Sequence, residues 1–274
     1  MTAYHDGRFL ELEDCCISPL DRGFLFGDGV YEVMPVWRRR PFRYQAHMNR
    51  LARSLERAEI KDPYPPERWR EVLDGLIERS GLSSLVVYLQ VTRGVAPREH
   101  VIADDAAPTV FAMTMPPPPN DAAAGVAAIS ADDTRWSRCD IKSVSLLPNV
   151  LLRRRARDYR ASEAILLRDG CVTEGAASNV FIAAAGVLAT PPEGPQLLSG
   201  ITRGVVIEMA AVCGVGCEQR TVTAAELAAA DEIWLTSSTR GIVPVTTLDG
   251  NRVGAGEPGP LWKRFSDCLA DWCE

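Results

Sequence analysis

The sequence is short of lysine. Its 274 residues include 27 arginines but only three lysines, Lys61, Lys142 and Lys263. Histidine is scarcer than its chemistry needs for a metal centre: His5, His47 and His100 are scattered, and no metal is expected. Eight cysteines (15, 16, 139, 171, 213, 217, 268 and 273) contain no C-x-x-C pair. Zinc and disulfide-framework readings therefore fail, and reduced thiols packed as small hydrophobes are expected. There is no excess of positive charge either. A net charge of −6 and a pI near 5.3 exclude a global basic field for nucleic acid or an anionic membrane. The longest nearly apolar stretch, residues 180–189, is too short to span a bilayer. The opening MTAYHDGRFL lacks the basic start and apolar run of a signal peptide, so a cytoplasmic protein is expected. No G-x-S-x-G elbow points to a hydrolase. What remains, 46% hydrophobic and 24% charged residues, is the composition of a folded globular chain.

In so lysine-poor a chain, each lysine raises the question of whether arginine could replace it. Arginine keeps its proton and cannot form a Schiff base or serve as an amine base. Lys61 lies in the turn-like EIKDPYPP and Lys263 in the amphipathic LWKRFSDCLADWC, both solvated settings. Lys142 lies in CDIKSVSLLPNVLL among apolar neighbours. A chemical lysine and a lysine snorkelling from a strand end both fit that segment.

The pattern is α/β. Residues 2–10 read as a hairpin about Asp6-Gly7 and 29–37 as a strand. Helices are expected over 45–58 and from Pro65-Pro66 to about 79, then strands over 84–92 and 108–115. The stretch PPPPND (116–121) suits a stiff linker between a smaller domain, 1–115, and a larger one, 122–274. The second half alternates strand (125–130), helix (145–158), strands (163–167, 179–183), helix (201–213), strands (231–236, 242–248) and a closing helix.

Three further segments carry chemistry. GITRGVVIEMA (200–210) puts Gly200 and Thr202 at a helix start, where free amides and a hydroxyl can hold an anion. TSST (236–239) ends an apolar strand in hydroxyls, and VTEGAASNVFI (172–182) places Glu174 at a turn. Singly, each fits an ordinary helix start or turn. Together with Lys142 they are what pyridoxal 5′-phosphate requires: an amine for its aldehyde, a carboxylate for its pyridine nitrogen and donors for its phosphate.

DIKSVSLLPNVLLRRRA, EAILLRDGCVTEGAASNVF and LLSGITRGVVIEMA, in that order, resemble the class IV (fold-type IV) pyridoxal-phosphate aminotransferases, as do SPLDRGFLFGDGVYEV (18–33) and HMNRL (47–51). The resemblance runs from about residue 4 to 265. It implies a two-domain α/β fold, a homodimer and pyridoxal phosphate as cofactor. It also implies Lys142 as the Schiff-base lysine and proton carrier, Glu174 at the pyridine nitrogen, and Arg50, Ile201, Thr202 and Ser238 at the phosphate. From the residues alone, the stripe His47, Arg50, Ser54, Arg57 reads as a solvated helix face. Asp28 and Glu32 are taken as structural.

VTRGVAPREHV (91–101) resembles the D-amino-acid aminotransferases within that family. There an arginine and a histidine two residues later join a tyrosine in gripping the substrate carboxylate, here Arg98, His100 and Tyr31, with the loop reaching the partner subunit's pocket. Alone, Arg98-Glu99-His100 reads as an exposed loop. The expected reaction is amino transfer between a D-amino acid of the D-alanine type and a 2-oxo acid. Alternatives are a branched-chain L-amino acid aminotransferase, an amine transaminase or an aminodeoxychorismate lyase on the same fold, and more distantly a non-catalytic metabolite-binding protein. Ala176-Ala177 stand where the family turn carries more hydroxyls, and Arg240 after TSST adds a cation suited to acidic side chains.

Overall fold

The computed structural model describes residues 1–102, 106–119 and 124–272. Asn120, Asp121 and Cys273 of the sequence analysis lie outside them. The chain divides into two compact units, Met1–Pro117 with Ile141–Ser145, and Pro118–Asp140 with Leu146–Glu274.

In the first unit, β1 (Thr2–His5) and β2 (Arg8–Glu11) turn at Asp6-Gly7. A short α1 (Arg22–Phe26) leads into β3 (Gly29–Trp37) and β4 (Arg40–Pro41). Then follow α2 (Tyr44–Arg57), α3 (Pro66–Ser80), β5 (Leu85–Thr92) and β6 (Thr109–Met115). The six strands form a wholly antiparallel sheet in the order β2-β1-β6-β5-β3-β4. Alternation along β3 turns Val30, Glu32 and Met34 to the buried side and leaves Tyr31 and Val33 half-buried on the other. Leu51, Leu55, Trp69, Leu73 and Leu76 of α2 and α3 share a core with Val30, Met34, Val87 and Leu89 of the sheet.

Ile141–Ser145 belongs to this unit, not to the 122–274 domain in which sequence position placed it. The reason is backbone pairing. The Tyr31 amide donates to the Lys142 carbonyl at 2.9 Å, the Val144 amide donates to Gly29 at 3.0 Å, and Ser143 bridges Val30. Ile141 joins the first core.

The second unit carries β7 (Val126–Asp132), α4 (Leu147–Asp158), β8 (Glu163–Arg168), β9 (Cys171–Gly175), β10 (Asn179–Ala184) and β11 (Val187–Thr190). It continues with α5 (Ile201–Val212), β12 (Cys217–Gln219), α6 (Ala224–Ala229), β13 (Glu232–Ser237), β14 (Gly241–Leu248), β15 (Asn251–Arg252) and α7 (Pro260–Trp272). Its mixed sheet runs β12-β11-β10-β13-β14-β7-β8-β9, with β15 beside β14. Ile182, Ile233, Leu235, Val243 and Val245 fill one core of the unit. On α7, Phe265 is fully buried and packs its ring at a tilt against Trp234, while Trp262 donates to Ile242. Among the described residues, no helix is long and apolar enough to cross a membrane.

Candidate active site

In the first unit, chemistry gathers under β3. Arg50 of α2 grips Glu32, Nε to Oε1 at 2.7 Å and Nη2 to Oε2 at 2.8 Å, and His47 Nδ1 lies 2.7 Å from Oε2. Burial raises the Glu32 pKa, but the charge and hydrogen bonds of Arg50 and the His47 contact outweigh it and bring it to about 2. Burial lowers the His47 pKa despite Glu32, and the Arg50 and Lys142 charges push the same way. His47, Arg50 and Ser54 are all buried, which corrects the solvated-face reading: the counter-charge comes from β3, a different element. Only Arg57 of that stripe is exposed.

Lys142 is half-buried, whereas Lys61 and Lys263 are exposed. Its amide donates to Ser54 Oγ at 3.3 Å, and its Nζ lies 4.1 Å from the centre of the Tyr31 ring, which stacks on Tyr88. A cation over a phenol face is attracted by the ring quadrupole, and this parks the amine beside the open side of the sheet. Arg98 and His100 are exposed and meet at Phe26: the guanidinium lies 5.6 Å and the imidazole 5.5 Å from that ring. Arg22 also covers Phe26 and donates to the Glu99 carbonyl at 2.6 Å, tying the loop to α1. No hydrogen bond or ring contact joins Arg98 or His100 to Tyr31 among the described residues. Asp28 anchors the region structurally by accepting from Arg22 at 2.9 Å and Arg93 at 2.8 Å.

In the second unit, β9 presents the buried Glu174, whose carboxylate accepts from Arg135, from Asn179 Nδ2 at 3.1 Å and from the Leu198 amide at 3.0 Å. Arg135 also pairs with Asp133 at 2.9 Å; although burial opposes the charge, Asp133 and Glu174 raise its pKa. Arg135, Asn179 and His47 carry no signal in sequence that would tie them to Glu174 or Glu32, because those carboxylates lie on other elements. Gly200 opens α5 without a side-chain cap, and a Cβ there would strike Asn179 Oδ1. Thr202 is buried, and Ile201 and Ser238 are half-buried. Thr236, opposite Asn179 across β10 and β13, has a buried hydroxyl without a partner among the described residues. Ser178 turns to Glu163 at 3.0 Å, while Ala176 pairs through its backbone with Ala164 and Asn149, so this turn is held without the missing hydroxyls.

These features fit pyridoxal phosphate. In the second unit a carboxylate is held in place, a helix start is uncapped and a buried hydroxyl lacks a partner among the described residues; in the first, a lysine Nζ has no ion pair among them. Among the described residues no cluster could hold a metal.

Comparison with known proteins agrees. The chain is 41% identical to a D-alanine aminotransferase of Bacillus licheniformis over 98% of this chain and 96% of that protein. It is 35% identical to one from Staphylococcus haemolyticus over 98% and 96%. Among solved structures, an Escherichia coli branched-chain amino acid aminotransferase superposes with a TM-score of 0.92, at 24% identity, covering 98% of this chain and 93% of that one; it shows the fold. A hypothetical aminotransferase from Mycobacterium tuberculosis in a PLP-bound form gives 0.88 at 26% identity, covering 100% and 99%. Residues 29–248 match the amino-transferase class IV family, and the chain belongs to that family of pyridoxal-phosphate enzymes.

Proposed function

We propose that this chain exchanges an amino group between a D-amino acid of the D-alanine type and a 2-oxo acid. The observation that carries the reading is the Arg98-x-His100 loop in a chain 41% identical to a D-alanine aminotransferase. When bound, pyridoxal phosphate supplies the electron sink that makes the substrate's Cα proton removable. Lys142 Nζ carries the proton, and the Tyr31 face holds that amine clear of acidic partners. Glu174, oriented by Arg135 and Asn179, would accept from the pyridine N–H. Arg50, the first turn of α5 with Ile201 and Thr202, and Ser238 would hold the phosphate. Tyr31, Arg98 and His100 grip the substrate carboxylate, Arg98 through its planar fork. The enzyme acts as a cytoplasmic homodimer in which the loop bearing Arg98 and His100 serves the partner subunit's pocket. On this reading the 1–115 and 122–274 segments, apart from Ile141–Ser145, are the two functional domains.

The branched-chain reading is favoured by structural likeness, including that to an aminotransferase from Thermoproteus uzoniensis with norvaline, TM-score 0.90. One titration separates the two. The visible absorption of the holoenzyme should bleach on adding D-alanine and persist with L-alanine and L-leucine. Bleaching by L-leucine alone would move the protein to the branched-chain group, and no visible band after adding pyridoxal phosphate would overturn the enzyme reading.

A further inference from the structure

Two of the cysteines are in sulfur contact. Cys213 Sγ and Cys268 Sγ lie 3.9 Å apart, one at the end of α5 and the other on α7, and neither is fully buried. A second contact fixes this facing. Arg264 lies four residues before Cys268, hence on the same face of α7, and donates to the Cys213 carbonyl at 2.6 Å.

Both ends are held. Helix α5 closes where Gly214 takes a φ of +64° and the Val215 amide donates to Ala210 at 2.9 Å, so the sulfur of Cys213 projects from a defined turn. Helix α7 is pinned by Trp262 and Phe265. No other two described cysteines are in sulfur contact with each other.

We propose that Cys213 and Cys268 are a modification site, a thiol pair that closes to a reversible disulfide and ties α7 to the end of α5. Closure needs the sulfurs to approach from 3.9 Å to about 2.05 Å, which side-chain rotation and a small helix adjustment supply. The oxidant is a small-molecule disulfide. One protein thiolate attacks it and releases one small thiol, then the second protein thiolate displaces the other. The protein loses two hydrogens and gains one S–S bond, while the reagent is reduced to two thiols.

The test uses the reduced holoenzyme treated with oxidised glutathione. Non-reducing peptide mapping with fragmentation should find Cys213 linked to Cys268. The thermal midpoint should rise by several degrees and return on adding dithiothreitol, because the cross-link restricts the unfolded chain. Cys213→Ser and Cys268→Ser should each abolish the linked peptide and the shift. Glutathione adducts on both cysteines, a link to Cys217 or Cys273 instead, or no oxidation at either position would overturn the proposal. If a serine variant fails to fold, mapping of the wild-type protein alone decides.

Discussion

Arg50 and Glu32 meet through two near-parallel hydrogen bonds of 2.7 and 2.8 Å, in a site where the carboxylate is 1% and the guanidinium 4% exposed. The pair holds in place the arginine assigned to the cofactor phosphate, and leaves His47 hydrogen-bonded to the same carboxylate on one side only. Breaking a buried pair by deleting one member leaves an uncompensated charge, which costs about 3–5 kcal/mol. Glu32→Ala should therefore lower urea stability by that amount and weaken retention of pyridoxal phosphate, read by dialysis against phosphate buffer. Wild-type retention and stability in the variant would remove Glu32 from any positioning role.

The same pair sets an acid limit. Glu32 falls from its ordinary 4.5 to about 2 in the fold, so the folded state binds fewer protons between those values. Its contribution, about 3 kcal/mol from the size of the shift, is complete above pH 4.5 and lost as pH falls through 2. The pKa of His47 is also lowered, so its protonation begins to oppose folding below about pH 6.5. Stability should thus start to decline between pH 6.5 and 5 and fall steeply below 4.5. His47→Gln should flatten the upper part of that decline, and an unchanged pH profile would contradict the assignment.

Arg135 is the comparable residue in the second unit, shared between Asp133 and Glu174. Arg135→Leu takes the cation from buried Glu174 and leaves Asp133 with Arg168 at 3.1 Å, so the expected loss is about 3 kcal/mol. Glu174 should then be less firmly oriented for the pyridine nitrogen it is proposed to serve. The visible band of the holoenzyme should weaken, and turnover should fall more than substrate KM rises. An equal loss in kcat and gain in KM would point to general disorder.

Much of this was legible in sequence, for physical reasons that differ by residue. The reading of Lys142 rests on a chemical distinction between lysine and arginine, and β3 occupies the predicted 29–37 even though its buried side carries Glu32. The stripe on α2 misled because periodicity reports the polarity of a face and not what that face meets; Glu32 lies on another element. Arg135 sits in a loop, where spacing carries no information. Helix α6 was within reach: Thr223 and Glu226 form a reciprocal capping box, a local signal outside the strand-and-helix alternation read there.

Phe26 gathers Arg98 and His100, and neither of them is joined to Tyr31 by a hydrogen bond or ring contact among the described residues. If Arg98 grips a substrate carboxylate, a charge-assisted hydrogen bond of about 1.5–3 kcal/mol is lost in Arg98→Ala, raising KM for D-alanine about 10- to 100-fold. Arg98→Lys should recover part of this, since a point charge lacks the fork. Phe26→Ala should raise KM less and leave kcat close to wild type. An Arg98→Ala enzyme with unchanged KM would return the loop to the exposed, non-functional reading.

Arg240 offers the sharpest question about side-chain preference. It lines a cavity of about 730 Å³ with Arg153, Arg154, Arg157, Val150 and Pro119, and no carboxylate is among the described lining residues. Arg153 is engaged by Glu163 at 3.3 Å, whereas Arg154 and Arg157 have no ion pair among the described residues. Several like charges around one cavity favour an anion, but a solvent-accessible ion pair contributes only about 0.2–1 kcal/mol. Arg240→Ala should therefore lower kcat/KM for D-glutamate and D-aspartate by about 2- to 5-fold and leave D-alanine unchanged. Equal changes for all three substrates would mean that Arg240 supports the fold and has no part in selecting acidic side chains. A larger loss confined to the acidic substrates would mean that the site excludes water more fully than this cavity implies.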